Sequence, residues 1–150
     1  MGLPKLNTVQ YELKIPSTGK TIDYRPFLVK EEKILLMALE GQDEKEMAKA
    51  IKQIINQCVL SENFKIDNLA LVDIEYIFLK IRGKAVGDKS KIFIECSNTK
   101  CENKIEIDLD LEKIEVNTPK GHTDLIKLTD DIQVRMVPPK MEYLMSTANK

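Results

Sequence analysis

The chain contains no tryptophan and one histidine, and aromatic residues make up only 5% of its 150 positions. So few flat rings leave no platform on which single-stranded bases could stack. Positive charge is not in excess either: 23 Lys and Arg stand against 24 Asp and Glu, for a formal net charge of -1. A chain so balanced carries no overall field to hold a phosphate polymer, and nucleic acid is not expected as a partner. The longest apolar run, Ile34 to Leu39, falls far below the roughly 20 residues that span a bilayer, so no membrane helix is expected. The N-terminus, MGLPKLNTVQ, lacks the apolar centre of a secretion signal. Leu6 also stands where a myristoylation signal requires Ser or Thr, and the expected compartment is the cytoplasm. Three cysteines cannot all pair within one chain, so free thiols are expected rather than a disulfide framework. With 31% charged and 43% apolar residues, the composition suits a folded domain that offsets its ordering entropy by burial, and residues 1–150 read as a single α+β domain.

What is present is a chain of well-marked elements. Tyr11, Leu13 and Ile15 alternate with Glu12 and Lys14, Pro16 to Gly19 supply turn chemistry, and Ile22 and Tyr24 resume the alternation: an N-terminal β-hairpin that ends at Pro26. Three helices follow. The first, Leu28 to Glu40, sets Leu28, Leu35 and Leu39 on one stripe and Lys30, Glu31, Glu32 and Lys33 on the opposite, wet face. The second starts at a capping-box pattern of Asp43 and Glu46 and draws a continuous stripe through Met47, Ala50, Ile51, Ile54, Ile55 and Cys58. The third, capped by Asp67 or Asn68, turns Ala70, Ile74, Ile77, Phe78 and Ile81 to one side. Its β-branched content also permits a strand over Ile74 to Ile81.

Two further antiparallel hairpins are expected. In one, Lys91 to Cys96 and Asn103 to Leu111 alternate strictly, with Ile92, Ile94 and Cys96 matching Ile105, Ile107, Leu109 and Leu111. In the other, Leu125 to Leu128 and Ile132 to Val137 flank Thr129, Asp130 and Asp131. A last helix begins at Met141 and stops before its Met141, Leu144, Met145 stripe completes two turns, so the chain is expected to continue in a longer protein.

Chemistry is sparse. Ser17 to Thr21 imitates the end of a phosphate-binding loop, but Lys14 replaces the leading glycine and a strand follows where a helix is required, so a hairpin turn is the better reading. Cys96 and Cys101 flank a hairpin tip and could offer two thiolates to zinc; a complete set would need Cys58 from a core stripe and His122 from a loop. Metal and cofactor are therefore not expected. The acidic row Glu106, Asp108, Asp110 and Glu112 lies along a strand rather than a tight calcium loop and reads as a solvated face, with Lys84, Lys89 and Lys91 near enough to pair with it. His122 has no nucleophile at a motif spacing, and no enzyme is expected.

The blocks Leu3 to Leu6, Pro16 to Lys20, Tyr24 to Glu32 (YRPFLVKEE) and Glu75 to Arg82 with Ala85, Val86 and Gly87 resemble a baseplate hub-assembly protein family of T-even-type contractile-tailed bacteriophages. The resemblance implies a non-enzymatic protein that builds the central hub in the host cytoplasm through contacts with other hub proteins. The role is that of a chaperone-like factor or a permanent hub component, a zinc-stabilised interaction module being the other alternative. The docking surface expected on this basis is the first hairpin edge and its corner: Tyr11, Leu13, Ile15, Tyr24, Arg25, Pro26 and Phe27.

Overall fold

The computed structural model describes residues 8–96, 101 and 103–143. The fold is α+β and runs in the expected order: a hairpin, three α-helices, then two more hairpins, with residues 141–143 helical. In the first hairpin β1 (Tyr11–Lys14) pairs antiparallel with β2 (Thr21–Tyr24) in the register Tyr11 to Tyr24 and Leu13 to Ile22. Its apolar face, Leu13, Ile15, Ile22 and Tyr24, is buried. The turn closes through Gly19 N–H to the Ile15 carbonyl at 2.9 Å and Ile15 N–H to the Lys20 carbonyl at 2.8 Å, with Gly19 at φ 67. That left-handed conformation costs glycine nothing sterically. The Ser-Thr-Gly-Lys-Thr string is thus a hairpin turn, and no helix follows it.

Helix α1 (Val29–Glu40) is entered from Leu28, and α2 (Glu44–Cys58) from Asp43, whose carboxylate accepts the Lys45 N–H at 2.8 Å. The α2 stripe holds over Ala50, Ile54, Ile55 and Cys58, which are buried, and Ile51, which packs against them, whereas Met47 is only half-buried and lines an open groove. The stripe foreseen on α1 needs correction. Leu35 packs on the core, but Leu39 is 54% exposed, because it borders an open groove between α1, α2 and α3 that no element covers among the described residues. Glu31, placed on the wet face by helical phase, is fully buried for a reason given below.

Helix α3 (Leu71–Val86) settles the strand alternative in favour of helix, with Ile74, Ile77 and Ile81 at i, i+3 and i+7 fully or nearly fully buried. Each such isoleucine withdraws a large apolar side chain from water, worth about 1.5 to 3 kcal/mol. The cap foreseen at Asp67 or Asn68 is not used. Those residues lie in a single 3-10 turn, Ile66–Asn68, and α3 starts after Ala70 without a side-chain cap. The Leu71 N–H is instead met by the Pro139 carbonyl at 2.9 Å, so the chain's returning segment satisfies what a capping side chain otherwise would.

The remaining hairpins stand away from this core. Strands β3 (Lys89–Glu95) and β4 (Lys104–Asp110) pair in the register Ile92 to Ile107 and Ile94 to Ile105, and β5 (Leu125–Lys127) pairs with β6 (Gln133–Arg135). Each is a separate two-stranded sheet among the described residues. The β3–β4 arm is held at its base. The Leu111 N–H bonds the Asp88 carbonyl at 2.7 Å, and the Lys80 ammonium donates to the carbonyls of Leu111, Glu112 and Ile114 at 3.1, 2.7 and 3.0 Å. All three ammonium protons are used, and the strand exit is pinned to α3.

Candidate docking surface

The residues expected to dock also line the core, while the outer edge of β1 pairs with no strand among the described residues. Leu13, Ile15, Tyr24 and Phe27 are buried, and Tyr11 packs against them with its ring 5.7 Å from that of Tyr24. Their side chains serve the fold. Arg25 explains why the run from Tyr24 to Glu32 is so particular. Its guanidinium reaches Glu31 at 2.8 Å, the Pro26 carbonyl at 2.9 Å and the Gln57 carbonyl at 3.1 Å, while its own N–H bonds the Cys58 carbonyl at 2.9 Å. One side chain therefore joins β2, the entry of α1 and the C-terminal end of α2, where helix carbonyls favour a cation.

Glu31 completes this clasp. Its second carboxylate oxygen accepts the Leu28 N–H at 2.8 Å, and Lys30 lies 3.4 Å from the first. The third helical position lets it reach back to the residue that opens the helix, and that geometry draws a charged group inside. Burial alone would push its carboxyl up, but the hydrogen bonds from Arg25 and Leu28 and the nearby positive charges outweigh burial, and its pKa is lowered. A second buried acid, Asp73 on α3, accepts both the backbone N–H of Ser17, at 3.0 Å, and the Ser17 hydroxyl. It thereby fastens the hairpin turn to α3. Helical phase set Glu31 on the wet face, and Asp73 carried no signal in the sequence beyond its position on an otherwise apolar face.

The cysteines are not assembled. Cys58 lies inside the core, where burial pushes its thiol up to about 11; Cys96 is exposed, Cys101 half-buried, and His122 sits in an exposed loop. Among the described residues no three His, Cys, Asp or Glu side chains converge to hold a metal, and no helix is long and apolar enough to cross a membrane. The acidic row is partly paired as foreseen: Lys91 bonds Glu106, and Lys84 lies 2.9 Å from Glu112.

Two grooves mark the core. One, of about 540 Å³ between α2 and α3, is floored by Met47, Ile51, Ile74 and Phe78. The other, of about 380 Å³ beside β1, holds Tyr11 and Tyr76 with Lys80 and Lys84. Both ammonium groups there are already occupied, Lys80 by three carbonyls and Lys84 by Glu112 and Asp88.

Exposed apolar side chains occur on α1, at Val29, Met37 and Leu39, and are grouped along both arms. Phe93 is 64% exposed, Ile94 48% and Ile105 60% on the first arm; Leu128 is 62% and Val137 75% exposed on the second. Apolar side chains grouped in this way on two projecting ribbons differ from singly scattered ones, which are ordinary on any surface.

A helix-and-hairpin core bearing two uncovered β arms defines a small α+β protein whose conspicuous surface is apolar and extended rather than a cleft of convergent polar groups. The family described as T4 bacteriophage base plate protein matches residues 8–150, and the chain belongs to that family. It is a T4-type baseplate protein, and association with other baseplate proteins follows from that membership. The chain matches no curated protein and no solved structure.

Proposed function

We propose that the chain is a tail-assembly factor, chaperone-like in action, that helps build the central hub of the baseplate by contact with other hub proteins and transforms no substrate. The observation that carries this reading is the uncovered apolar surface of the two arms, above all Leu128, Ile132, Met136 and Val137 around β5 and β6. An isolated two-stranded ribbon is marginal in water and gains stability when a partner covers its apolar side or extends its sheet. This reading assigns docking to the arms, since the side chains of the first hairpin also serve the core. The setting is the host-cell cytoplasm during tail assembly.

The test is co-purification from infected cells. A tagged full chain brings down hub proteins, and phage lacking the chain accumulate tails arrested before hub completion. Normal hub assembly without the chain overturns the reading. Mass spectrometry of purified particles then separates a transient helper, absent from the virion, from a permanent hub component.

A further inference from the structure

The outer edge of β3 has a property that its neighbour lacks. The Cys96 N–H bonds the Asn103 carbonyl at 3.2 Å, and the Leu111 N–H bonds the Asp88 carbonyl at 2.7 Å, so even-numbered residues of β3 turn their backbone groups toward β4. In an antiparallel ladder the alternate residues face the other way. Lys89, Lys91, Phe93 and Glu95 therefore present their N–H and C=O groups to the open edge, which pairs with no strand among the described residues. The strand reads Lys-Ser-Lys-Ile-Phe-Ile-Glu. Set antiparallel against a copy of itself about a two-fold axis at Ile92, it places Lys89 opposite Glu95, Lys91 opposite Phe93, Ser90 opposite Ile94 and Ile92 opposite Ile92.

Every outward-facing pair in that register is favourable. Among the described residues Lys89 has no ion-pair partner and Glu95 pairs only with Lys104 at the exposed tip, and Phe93 is 64% exposed. The register supplies each of them with a partner: an opposite charge for Lys89 and Glu95, and for the Phe93 ring the apolar stem of Lys91, whose ammonium bonds Glu106. Strand β4 behaves oppositely. Its outward residues are Lys104, Glu106, Asp108 and Asp110, and any two-fold pairing centred from Glu106 to Asp108 sets acid against acid.

We propose that two copies of this chain pair through the outer edges of β3, antiparallel about a two-fold axis at Ile92, forming a four-stranded sheet in the order β4, β3, β3, β4. The pairing is isologous and closes as a dimer. It joins the two apolar rows of Ile92, Ile94, Ile105 and Ile107 into one face, and it meets the requirement of three or more strands that an isolated ribbon fails. It stands independently of which hub protein the second arm meets.

Sedimentation equilibrium of the full chain at about 100 µM, where even a dimer of micromolar Kd is populated, is expected to give twice the 17.2 kDa chain mass. Phe93→Pro removes an outward N–H without touching the β3–β4 ladder, and is expected to leave the circular dichroism unchanged and the chain monomeric. Lys89→Glu and Glu95→Lys singly are each expected to weaken the dimer about tenfold, since two symmetric cross-strand pairs become repulsive. The double swap restores it. A monomer at that concentration, a dimer indifferent to Phe93→Pro and to the charge swaps, or open-ended filaments from β3 on β4 pairing each overturns the proposal.

Discussion

Arg25 and Glu31 hold together three elements that nothing else joins at one point, so the clasp is where a single atom group matters most. Arg25→Ala leaves a fully buried carboxylate facing only Lys30 and one amide, and is expected to cost about 3 to 5 kcal/mol, read as a fall in the chemical-denaturation midpoint. The pH dependence follows from the lowered pKa of Glu31. The unfolded chain takes up a proton at the ordinary carboxylate value near 4.5, whereas the folded one resists until lower pH. Between those points the unfolded state binds more protons, so the stability from this group is complete above about 4.5 and is lost as pH falls through the folded value. Glu31→Gln is expected to lower stability at pH 7 and to flatten this acid limb; an unchanged limb in urea titrations at pH 3 to 6 would count against the clasp. Cys58 supplies a separate check. A thiol held near 11 inside the core is expected to resist a thiol reagent at pH 8 until the protein unfolds, while exposed Cys96 reacts at once.

Among the elements, the passage from α3 into the first arm depends on Gly87, at φ 131 and ψ 148, a region essentially closed to other residues. Nothing lies within 4 Å of a Cβ built there. The cost of Gly87→Ala is thus backbone strain alone, expected at about 1 to 3 kcal/mol by thermal unfolding. Lys80→Met removes the three carbonyl contacts at the exit of β4 and is expected to speed amide exchange around Leu111 while leaving α2 protected. Element order and kind were legible because period two and period 3.6 alternate cleanly along the chain, and the α2 stripe could be read side chain by side chain. Three features were not. Helical phase put Glu31 on the wet face because it ignores what a carboxylate at the third helical position can reach. Asp67 and Asn68 looked like caps because a cap signature cannot see that Pro139, distant in sequence, supplies the needed carbonyl. The alternation of β3 and β4 gave an apolar face, yet periodicity reports only that a face is apolar and not what, if anything, covers it. For the same reason the pattern did not show that the apolar side chains from Tyr11 to Phe27, expected at a docking surface, also pack in the core.

At the scale of the whole molecule, apolar surface is divided unequally. The first hairpin and the three helices build a single buried cluster, although α1 leaves Val29, Leu36, Met37 and Leu39 exposed, whereas the arms leave Phe93, Ile105, Leu128 and Val137 in water. Surface that contributes nothing to the chain's own fold can be changed without loss of the fold, and this separates docking from folding experimentally. Leu128→Asp combined with Val137→Asp replaces two exposed side chains that contact no core residue, so thermal stability is expected to move by no more than about 0.5 kcal/mol per site. Capture of hub proteins by the tagged chain is expected to disappear, because a carboxylate cannot be buried unpaired in an apolar interface. Matched changes in the core, such as Ile54→Ala or Ile77→Ala, are expected to do the reverse: about 2 to 5 kcal/mol of destabilisation for each isoleucine truncated, with capture surviving at temperatures where the variant remains folded. If the arm variant keeps full capture, the apolar ribbons are not the docking surface. If it loses stability as well, the second arm contributes to the fold, and the separation of docking from folding fails there.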